Sequence, residues 1–356
     1  MDNKIIAPIS LIILLSLMSY SNIFQNEFVW DDHVFILDNP DIRSFSNIPL
    51  FFSQDVDGLY RPLRSLHYAF VYSFAKKDEF WYHFNSLFLH TAISILIFFI
   101  IYNAINKKNI ALISSLIFAS HPIHTERVTN ITAGFDLLGI FFMLLSLYFY
   151  IKFSKSNAKK FLFLSLPLFL LAVFSSEEAI TLPLIIILYE FCFNRGQFKK
   201  SVKNNIINYA LFLIIWLFYI MMRFFVLGIR GRLEEYLAGN FFLTMLTMLK
   251  AFVYYIYLLI VPINLTLFRE VKAATTIFDF KILFSFFVLI AIMFFTLKYN
   301  KNRVVLFSVF WFFITLLPFS NLLPLQVFMA ERYLYVPSIA FSLLISYILI
   351  SIFDYN

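Results

Sequence analysis

The chain has 356 residues, of which 61% are apolar and 14% are charged, whereas soluble domains have about 45–50% apolar and about 25% charged residues. So few charges could not cover so much apolar surface, which excludes a soluble globular domain. The net charge of +7 does not indicate nucleic-acid binding, because no water-exposed basic domain accompanies it. The single cysteine, Cys192, excludes an internal disulfide and is predicted to be a small core residue.

Apolar segments long enough to lie in a membrane recur along the whole chain. A spanning helix needs about 20 apolar residues, so the predicted fold is an all-α polytopic membrane protein of about ten or eleven membrane helices in a single domain, 1–356, without a soluble domain. The first segment is long and lacks a small-x-small cleavage site, which favours an uncleaved span over a signal peptide. The segments lie near 5–24, 84–102, 109–120, 128–151, 160–175, 179–193, 206–227, 242–262, 279–297, 303–318 and 333–353.

Charge placement orients these segments. The linkers 106–109, 152–160, 195–203 and 298–303 are short and rich in lysine and arginine, which predicts that they are cytoplasmic. The loops 25–83, 121–127, 175–179, 227–241 and 319–332 are then extracytoplasmic.

Segment 242–262 breaks this alternation. Two spans cannot join an outer loop at 227–241 to a cytoplasmic linker at 298–303. We therefore expect 242–262, which carries Lys250 and ends at Pro262, to be re-entrant or interfacial. The alternative is that it spans the membrane and that the charge rule fails at 298–303.

The first outer loop, 25–83, interleaves aromatic and charged residues, which is typical of short amphipathic helices on a membrane surface. It contains the acidic pair Asp31-Asp32. One carboxylate can act as general base on a hydroxyl while the other orients it or binds a metal. The alternative is a solvated turn or a helix cap, since aspartate favours both.

Further polar residues cluster near the same face, where ionisable groups at membrane depth are costly and usually functional. His121, His124 and Glu126 could bind a metal, but hydrogen-bonded histidines in a turn explain the pattern equally well. Asp136 lies one to two turns inside an apolar helix and needs a partner, for which Arg127 and Arg332 are candidates. The predicted substrate-binding residues are Tyr60, Arg61, His121, His124, Glu126, Arg127, Asp136, Glu177, Glu178, Arg223, Glu331, Arg332 and Tyr333.

Arginine is frequent at this face, although the orientation rule disfavours positive charge there. Guanidinium groups bind phosphate through a planar fork, so a phosphate at the membrane surface would account for them. The alternative is that they pair with Glu234, Glu235 or Glu331. The arginines concerned are Arg61, Arg127, Arg223, Arg230, Arg232 and Arg332.

Six sequence blocks occur in an order known from one family. They are FVWDDHVFILDNPDI, YRPL, HFNSLFLHTAISIL, FASHPIHTERV, SSEEAITLPLIIILYE and MAERYLYVPSIAFSLL. With this topology, the chain from about residue 25 onward resembles the membrane part of the C-type (GT-C) glycosyltransferases. The closest likeness is to the transmembrane, TPR-repeat-containing O-mannosyltransferase-like proteins.

The resemblance implies a GT-C-like helix bundle that takes mannose or another hexose from a polyprenyl-phosphate donor in the membrane lipids. The acceptor would be a hydroxyl of a protein, or of a glycan. The catalytic acid maps onto Asp31 or Asp32, and Arg61, then Arg332, would stabilise the leaving phosphate. No cofactor is required, and a divalent metal would involve His121, His124 or Asp32. The predicted location is a bacterial inner membrane, or the endoplasmic reticulum membrane in a eukaryote.

Two departures from the family stand out. The family's Gly-Arg-x-Asp element has Gly134 in place of its arginine, and Arg127 is predicted to substitute from the same helix face. The relatives continue into a further span and TPR repeats, whereas this sequence ends at Asn356.

Two other functions compete with sugar transfer. A transporter or flippase for a lipid-linked or anionic solute would also need an outward cavity lined by arginine and carboxylates. It predicts inverted repeats and broken helices near the midplane, and no repeat is apparent in the sequence. The third candidate is a membrane scaffold without catalysis.

Overall fold

The computed structural model describes residues 3–194, 198–228, 235–267 and 269–354. Within these ranges the chain forms helices and one isolated bridge, Val56 to Leu59, and no strand. The prediction of an all-α fold is therefore confirmed. The α-helices are α1 (Asn3–Tyr20), α2 (Ile48–Ser53), α3 (Pro62–Ala75), α4 (Glu79–Ile105), α5 (Lys108–Ser120), α6 (Thr125–Thr129), α7 (Ile131–Phe135), α8 (Leu137–Ser156), α9 (Lys159–Val173), α10 (Leu182–Phe193), α11 (Phe198–Ile220), α12 (Phe241–Ile260), α13 (Phe280–Lys298), α14 (Arg303–Leu316) and α15 (Pro337–Phe353).

A helix lies at each of the eleven predicted apolar segments, and the prediction of a polytopic membrane protein is confirmed. Six helical stretches in the described part of the chain are long and apolar enough to cross a membrane. Helices α5, α9, α10, α14 and α15 are shorter. The six are Ile5–Gln25, Glu79–Ile105, Ile131–Ser156, Ile206–Val226, Phe241–Ile260 and Phe280–Lys298.

Helices α4 and α8 form the centre of the bundle, where Ile93, Ile97 and Leu144 are buried. Small polar residues let neighbouring helices approach closely. Between α8 and α9, Ser146 Oγ donates to the Ser165 carbonyl at 2.7 Å, and Ser165 Oγ donates to the Ser146 carbonyl at 2.8 Å. Both backbone carbonyls therefore gain a further partner in the buried interior of the bundle.

Alternate helix ends meet at one end of the bundle, which we call the polar end. Tyr20 Oη, at the end of α1, donates to the His121 carbonyl beyond α5 at 2.9 Å. The Leu63 amide at the start of α3 donates to the carbonyl of Phe174 beyond α9 at 3.1 Å. The opposite end, which we call the basic end, carries the lysine-rich linkers 106–109, 152–160 and 298–303. The predicted site residues lie in the loops and helix ends of the polar end.

The predicted segment 128–151 is not one helix. Asn130 Oδ1 accepts from the Ala133 amide at 2.8 Å and starts α7 after α6 has ended. Asp136 follows α7 and immediately precedes α8. Asp136 lies between one and two turns after the start of the helical stretch Ile131–Ser156, as predicted. The prediction that Arg127 and Gly134 share one helix face was wrong, because Arg127 lies on α6 and the Asn130 cap starts a new helix.

Helix α12 packs against loops of the polar end along its length. The Ala330 amide donates to Tyr255 Oη at 3.3 Å, and His121 Nε2 lies 3.0 Å from the Leu259 carbonyl oxygen near the end of α12. The next segment, 261–279, turns back along the helix: the Ala274 amide donates to Thr247 Oγ1 at 2.9 Å. The chain therefore returns toward the beginning of α12 before α13 starts.

Candidate active site

Asp32 holds the first outer loop against the bundle. Its side chain is fully buried. Oδ1 accepts from the amide and hydroxyl of Thr132 at 2.9 and 2.5 Å, and Oδ2 accepts from the Val29 amide at 2.9 Å. Both oxygens are therefore occupied and shielded from solvent, and the carboxylate orients the loop.

Asp31, its neighbour, is exposed. The preceding Trp30 has a φ of 44°, a conformation that a bulky side chain adopts only under strain. Such strain persists where the surroundings hold it in place and is concentrated at functional sites. The turn at Trp30 lets one of the two neighbouring carboxylates anchor the loop while the other reaches solvent.

Asp136 is the centre of a network of arginines. Its Oδ1 lies 2.6 Å from Nη1 of Arg61 and 3.1 Å from Nη1 of Arg64, and its Oδ2 lies 3.1 Å from Nη1 of Arg127. Asp136 is one turn of α7, about 6 Å, after Thr132. The residue that anchors the acidic pair therefore lies in α7, and the centre of the arginine network lies directly after that helix.

The two glutamates between α9 and α10 extend this network. Glu177 Oε2 lies 2.5 Å from Nε of Arg61, and its Oε1 lies 3.0 Å from Nη1 of Arg223. Burial raises the pKa of Glu177, but Arg61 and Arg223 outweigh it and hold that pKa below its usual value. Among the arginines that the structure describes, Glu178 pairs with Arg127, and burial raises the pKa of Glu178. Glu177 is therefore the more firmly ionised of the pair.

The network has one positive charge in excess when every member is ionised, since it joins four arginines to three carboxylates. Arg127 is buried, whereas the Arg61 side chain keeps 16% of its surface exposed. Within the described residues, Nη2 of Arg61 has no hydrogen-bond partner. The network can therefore bind an anion, with Arg61 at its accessible edge. Its members are Arg61, Arg64, Arg127, Arg223, Asp136, Glu177 and Glu178.

Arg332 is held beside this network by Glu126. Both the amide and the guanidinium of Arg332 donate to the Glu126 carboxylate, the amide at 2.7 Å. Arg127 Nη2 donates to the Arg332 carbonyl at 3.1 Å. Arg332 does not pair with Asp136, but its side chain is 25% exposed, which makes it a second accessible guanidinium at this end.

Glu331 points away from the network, toward the segment after α12. Its Oε1 accepts from the Thr266 amide at 2.7 Å and from Arg269 Nη2 at 3.0 Å. Arg269 Nη1 also donates to Tyr254 Oη at 2.7 Å. Glu331 thus fastens segment 261–279 beside Arg332, and the structure gives it no contact with the arginine network.

Tyr60 and Tyr333 are buried and make structural contacts. Tyr60 Oη donates to the Phe52 carbonyl at 3.1 Å. Tyr333 Oη donates to the Val327 carbonyl at 3.0 Å, and its ring stacks on Phe319 at 4.0 Å. Both tyrosines support loops that carry site residues.

The residues predicted as metal ligands do not fit a metal. His121 Nε2 lies against the Leu259 carbonyl, and His124, fully buried, has its Nε2 2.8 Å from Ser338 Oγ. Asp32 is occupied as described above. In the described parts of the chain, no three histidine, cysteine or acidic side chains form a group able to hold a metal ion.

Three residues that form contacts at this end of the bundle were not predicted from the sequence. Arg64 follows Arg61 by three residues, a spacing that puts both on one helix face and could have revealed it. Thr132 and Arg269 have no comparable signal, because each acts through contacts distant in sequence. Arg230, Arg232 and Glu234, which the sequence placed near this face, lie outside the described residues.

Gly134 shows why the family's arginine is absent from its usual position. A Cβ there would lie 2.0 Å from Ser86 Oγ and 2.8 Å from Ser86 Cβ. No side chain fits unless Ser86 changes. The predicted substitute, Arg127, does form an ion pair with Asp136.

Known proteins of one family are similar to this chain. The sequence profile of the dolichyl-phosphate-mannose-protein mannosyltransferases matches residues 62–222, which include much of the arginine network. The chain resembles the GT-C membrane glycosyltransferases. This confirms the likeness indicated by the six sequence blocks.

Individual relatives share the same description. A protein O-mannosyl-transferase of Caenorhabditis elegans is 27% identical over 94% of this chain and 50% of its own length. The protein O-mannosyl-transferase TMTC3 of Homo sapiens is 26% identical over 98% of this chain and 43% of its own length. This chain thus spans about half the length of these relatives. No solved structure matches it.

Proposed function

We propose that this chain transfers a sugar from a polyprenyl-phosphate donor to a hydroxyl group of a protein serine or threonine at the extracytoplasmic face. Mannose is the favoured sugar, because the relatives are named protein O-mannosyl-transferases. One observation carries the proposal at the level of the site. An exposed carboxylate, Asp31, and an arginine network with excess positive charge are joined through α7.

In this proposal Asp31 takes the proton of the acceptor hydroxyl. The acceptor oxygen then bonds to the anomeric carbon of the sugar, and the bond from that carbon to the phosphate oxygen breaks. The leaving lipid phosphate gains one negative charge, which the accessible guanidinium of Arg61 stabilises, with Arg332 next to the network. Donors positioned in advance in this way stabilise charge as it develops in the transition state.

The carboxylates around these arginines keep them in place. Four guanidinium groups at this end of the bundle would repel one another without Asp136, Glu177 and Glu178 between them. With these partners, Arg61 has the most exposed side chain of the four, at 16% against 10% for Arg223. We therefore propose that the buried ion pairs hold Arg61 in place and that Arg61 binds the phosphate.

We also propose that α12 lies at the outer face with its return segment 261–279. Its contacts to Ala330 and His121 support this, because both residues belong to the polar end. The arrangement brings the chain back to the outside before α13, which agrees with a cytoplasmic linker at 298–303. The membrane concerned is proposed to be a bacterial inner membrane, or the endoplasmic reticulum membrane in a eukaryote.

The test replaces Asp31 with asparagine in the full chain and measures sugar transfer from a polyprenyl-phosphate-mannose to a serine- and threonine-containing peptide. Loss of a general base is expected to lower the rate by about 10²–10⁴-fold. The matched control is Asp38→Asn in the same loop, whose side chain is 76% exposed and which should keep its rate. Equal rates for Asp31→Asn and the unmodified chain would refute the assignment.

A further inference from the structure

A large cleft opens between α13 and α14 at the basic end of the bundle, opposite the end that carries the site residues described above. Its volume is about 710 Å³, within the range of roughly 300–1,000 Å³ that small-molecule sites occupy. The walls are apolar and the rim carries two lysines. The main lining residues are Val288, Ile292, Phe295, Val305, Lys298 and Lys301.

The cleft exists because α13 packs on the bundle at isolated points. Ile282, Ser285 and Thr296 are its buried residues, so about three turns between Ser285 and Thr296 have no fully buried side chain. On the other wall, α14 directs Val304 and Phe307 into the bundle. The space between the two helices is therefore open to the surrounding membrane.

The rim has the chemistry of an anion site. Lys298 and Lys301 are exposed, and neither forms an ion pair with a described residue. Tyr299 and Asn302 line the cleft beside them and provide further hydrogen-bond donors. Apolar walls that end in uncompensated positive charge match a molecule with long hydrocarbon chains and a negative headgroup.

We propose that the cleft binds an anionic glycerophospholipid, with its acyl chains along α13 and its phosphate at Lys298 and Lys301. The linker 298–303 is predicted to be cytoplasmic, and anionic lipids give the cytoplasmic leaflet its negative surface potential. The site lies at the opposite end of the bundle from the arginine network. It is therefore separate from the proposed donor site and does not depend on the proposed reaction.

The test is native mass spectrometry of the full chain in detergent with phosphatidylglycerol and phosphatidylcholine of identical acyl chains. A preference of about 30-fold for phosphatidylglycerol is expected, since each lysine near such a surface contributes about 1 kcal/mol and 1.4 kcal/mol corresponds to tenfold. The double variant Lys298→Gln/Lys301→Gln should lose this preference. The matched control Lys159→Gln/Lys160→Gln, two exposed lysines on another linker of the basic end, should keep it.

Two further measurements separate a built site from surrounding lipid. Ala291→Trp, which fills the apolar part of the cleft, should reduce retention of both phospholipids by the chain. A polyprenyl monophosphate serves as the competing phosphate ligand and should displace phosphatidylglycerol only weakly. The proposal is overturned by equal binding of the two phospholipids, by a preference that survives in the Lys298 and Lys301 variant, or by tighter binding of the polyprenyl phosphate.

Discussion

Replacing Gly134 with alanine tests how the arginine network is built. The added Cβ would lie 2.0 Å from Ser86 Oγ and 2.8 Å from Ser86 Cβ, so rotating the hydroxyl away does not remove the overlap. Overfilling a packed interior costs about 1–3 kcal/mol, whereas alanine in a helix gains up to about 1 kcal/mol over glycine. We expect a net loss of about 1–2 kcal/mol, because the clash exceeds the gain in helix propensity.

The decisive measurement is the same substitution in two backgrounds. Ser86→Gly removes both atoms of the clash, and the next contact of the new Cβ, the Arg127 carbonyl oxygen at 3.6 Å, is ordinary. Gly134→Ala should therefore lower the melting temperature of the purified chain by a few degrees when Ser86 is present. In the Ser86→Gly background it should leave the temperature unchanged or raise it. The melting temperature is measured by thermal unfolding followed by size-exclusion chromatography. It is measured for the unmodified chain, for each single variant and for the double variant.

The reasoning is refuted if Gly134→Ala destabilises the chain equally in both backgrounds. Residues in contact show a coupling energy of roughly 0.5–3 kcal/mol, and independent residues show none. Equal effects would mean that Gly134 is needed for its backbone and not for the approach of Ser86. The explanation for the missing arginine of the family element would then fail.

Two further predictions concern the surroundings of the site. Glu331→Gln and Arg269→Gln should each lower the melting temperature. The double variant should melt no lower than the less stable of the two single variants, because both substitutions break the same ion pair. Additive losses in the double variant would contradict a direct interaction. The pKa of Glu177 is held below its usual value of 4.5, so its ionised form stabilises the folded chain above that pH, and this stabilisation is lost as the pH falls. The acid-side fall in melting temperature below about pH 4.5 should be smaller for Glu177→Gln, and an identical fall in both chains would contradict the assignment.

Asp31 and Asp32 differ in their surroundings for a reason that lies outside their own loop. The sequence placed both aspartates in a long outer loop and left open which one could act as a base. The answer depends on Thr132, one hundred residues away, because that contact buries one carboxylate and leaves its neighbour exposed. No pattern within the loop contains this contact.

The broken helix before Asp136 is a second case. Its apolar composition predicted one continuous segment, and periodicity could not reveal that Asn130 ends one helix and caps the next. The break turns Asp136 toward three arginines from two other parts of the chain. Only Arg127 was named from the sequence as its partner among those three, since Arg61 and Arg64 reach it from the first outer loop.

The sequence by itself determined the membrane class, the eleven apolar segments, the end of the bundle that holds the polar residues and the family resemblance. These properties follow from composition, from the length of apolar runs and from the placement of lysine and arginine, all of which can be read locally. Tertiary structure decided which of the charged side chains are buried in pairs and which remain accessible. That outcome depends on contacts between residues far apart in the chain, because a carboxylate or guanidinium is stable inside the bundle only where folding brings its partner.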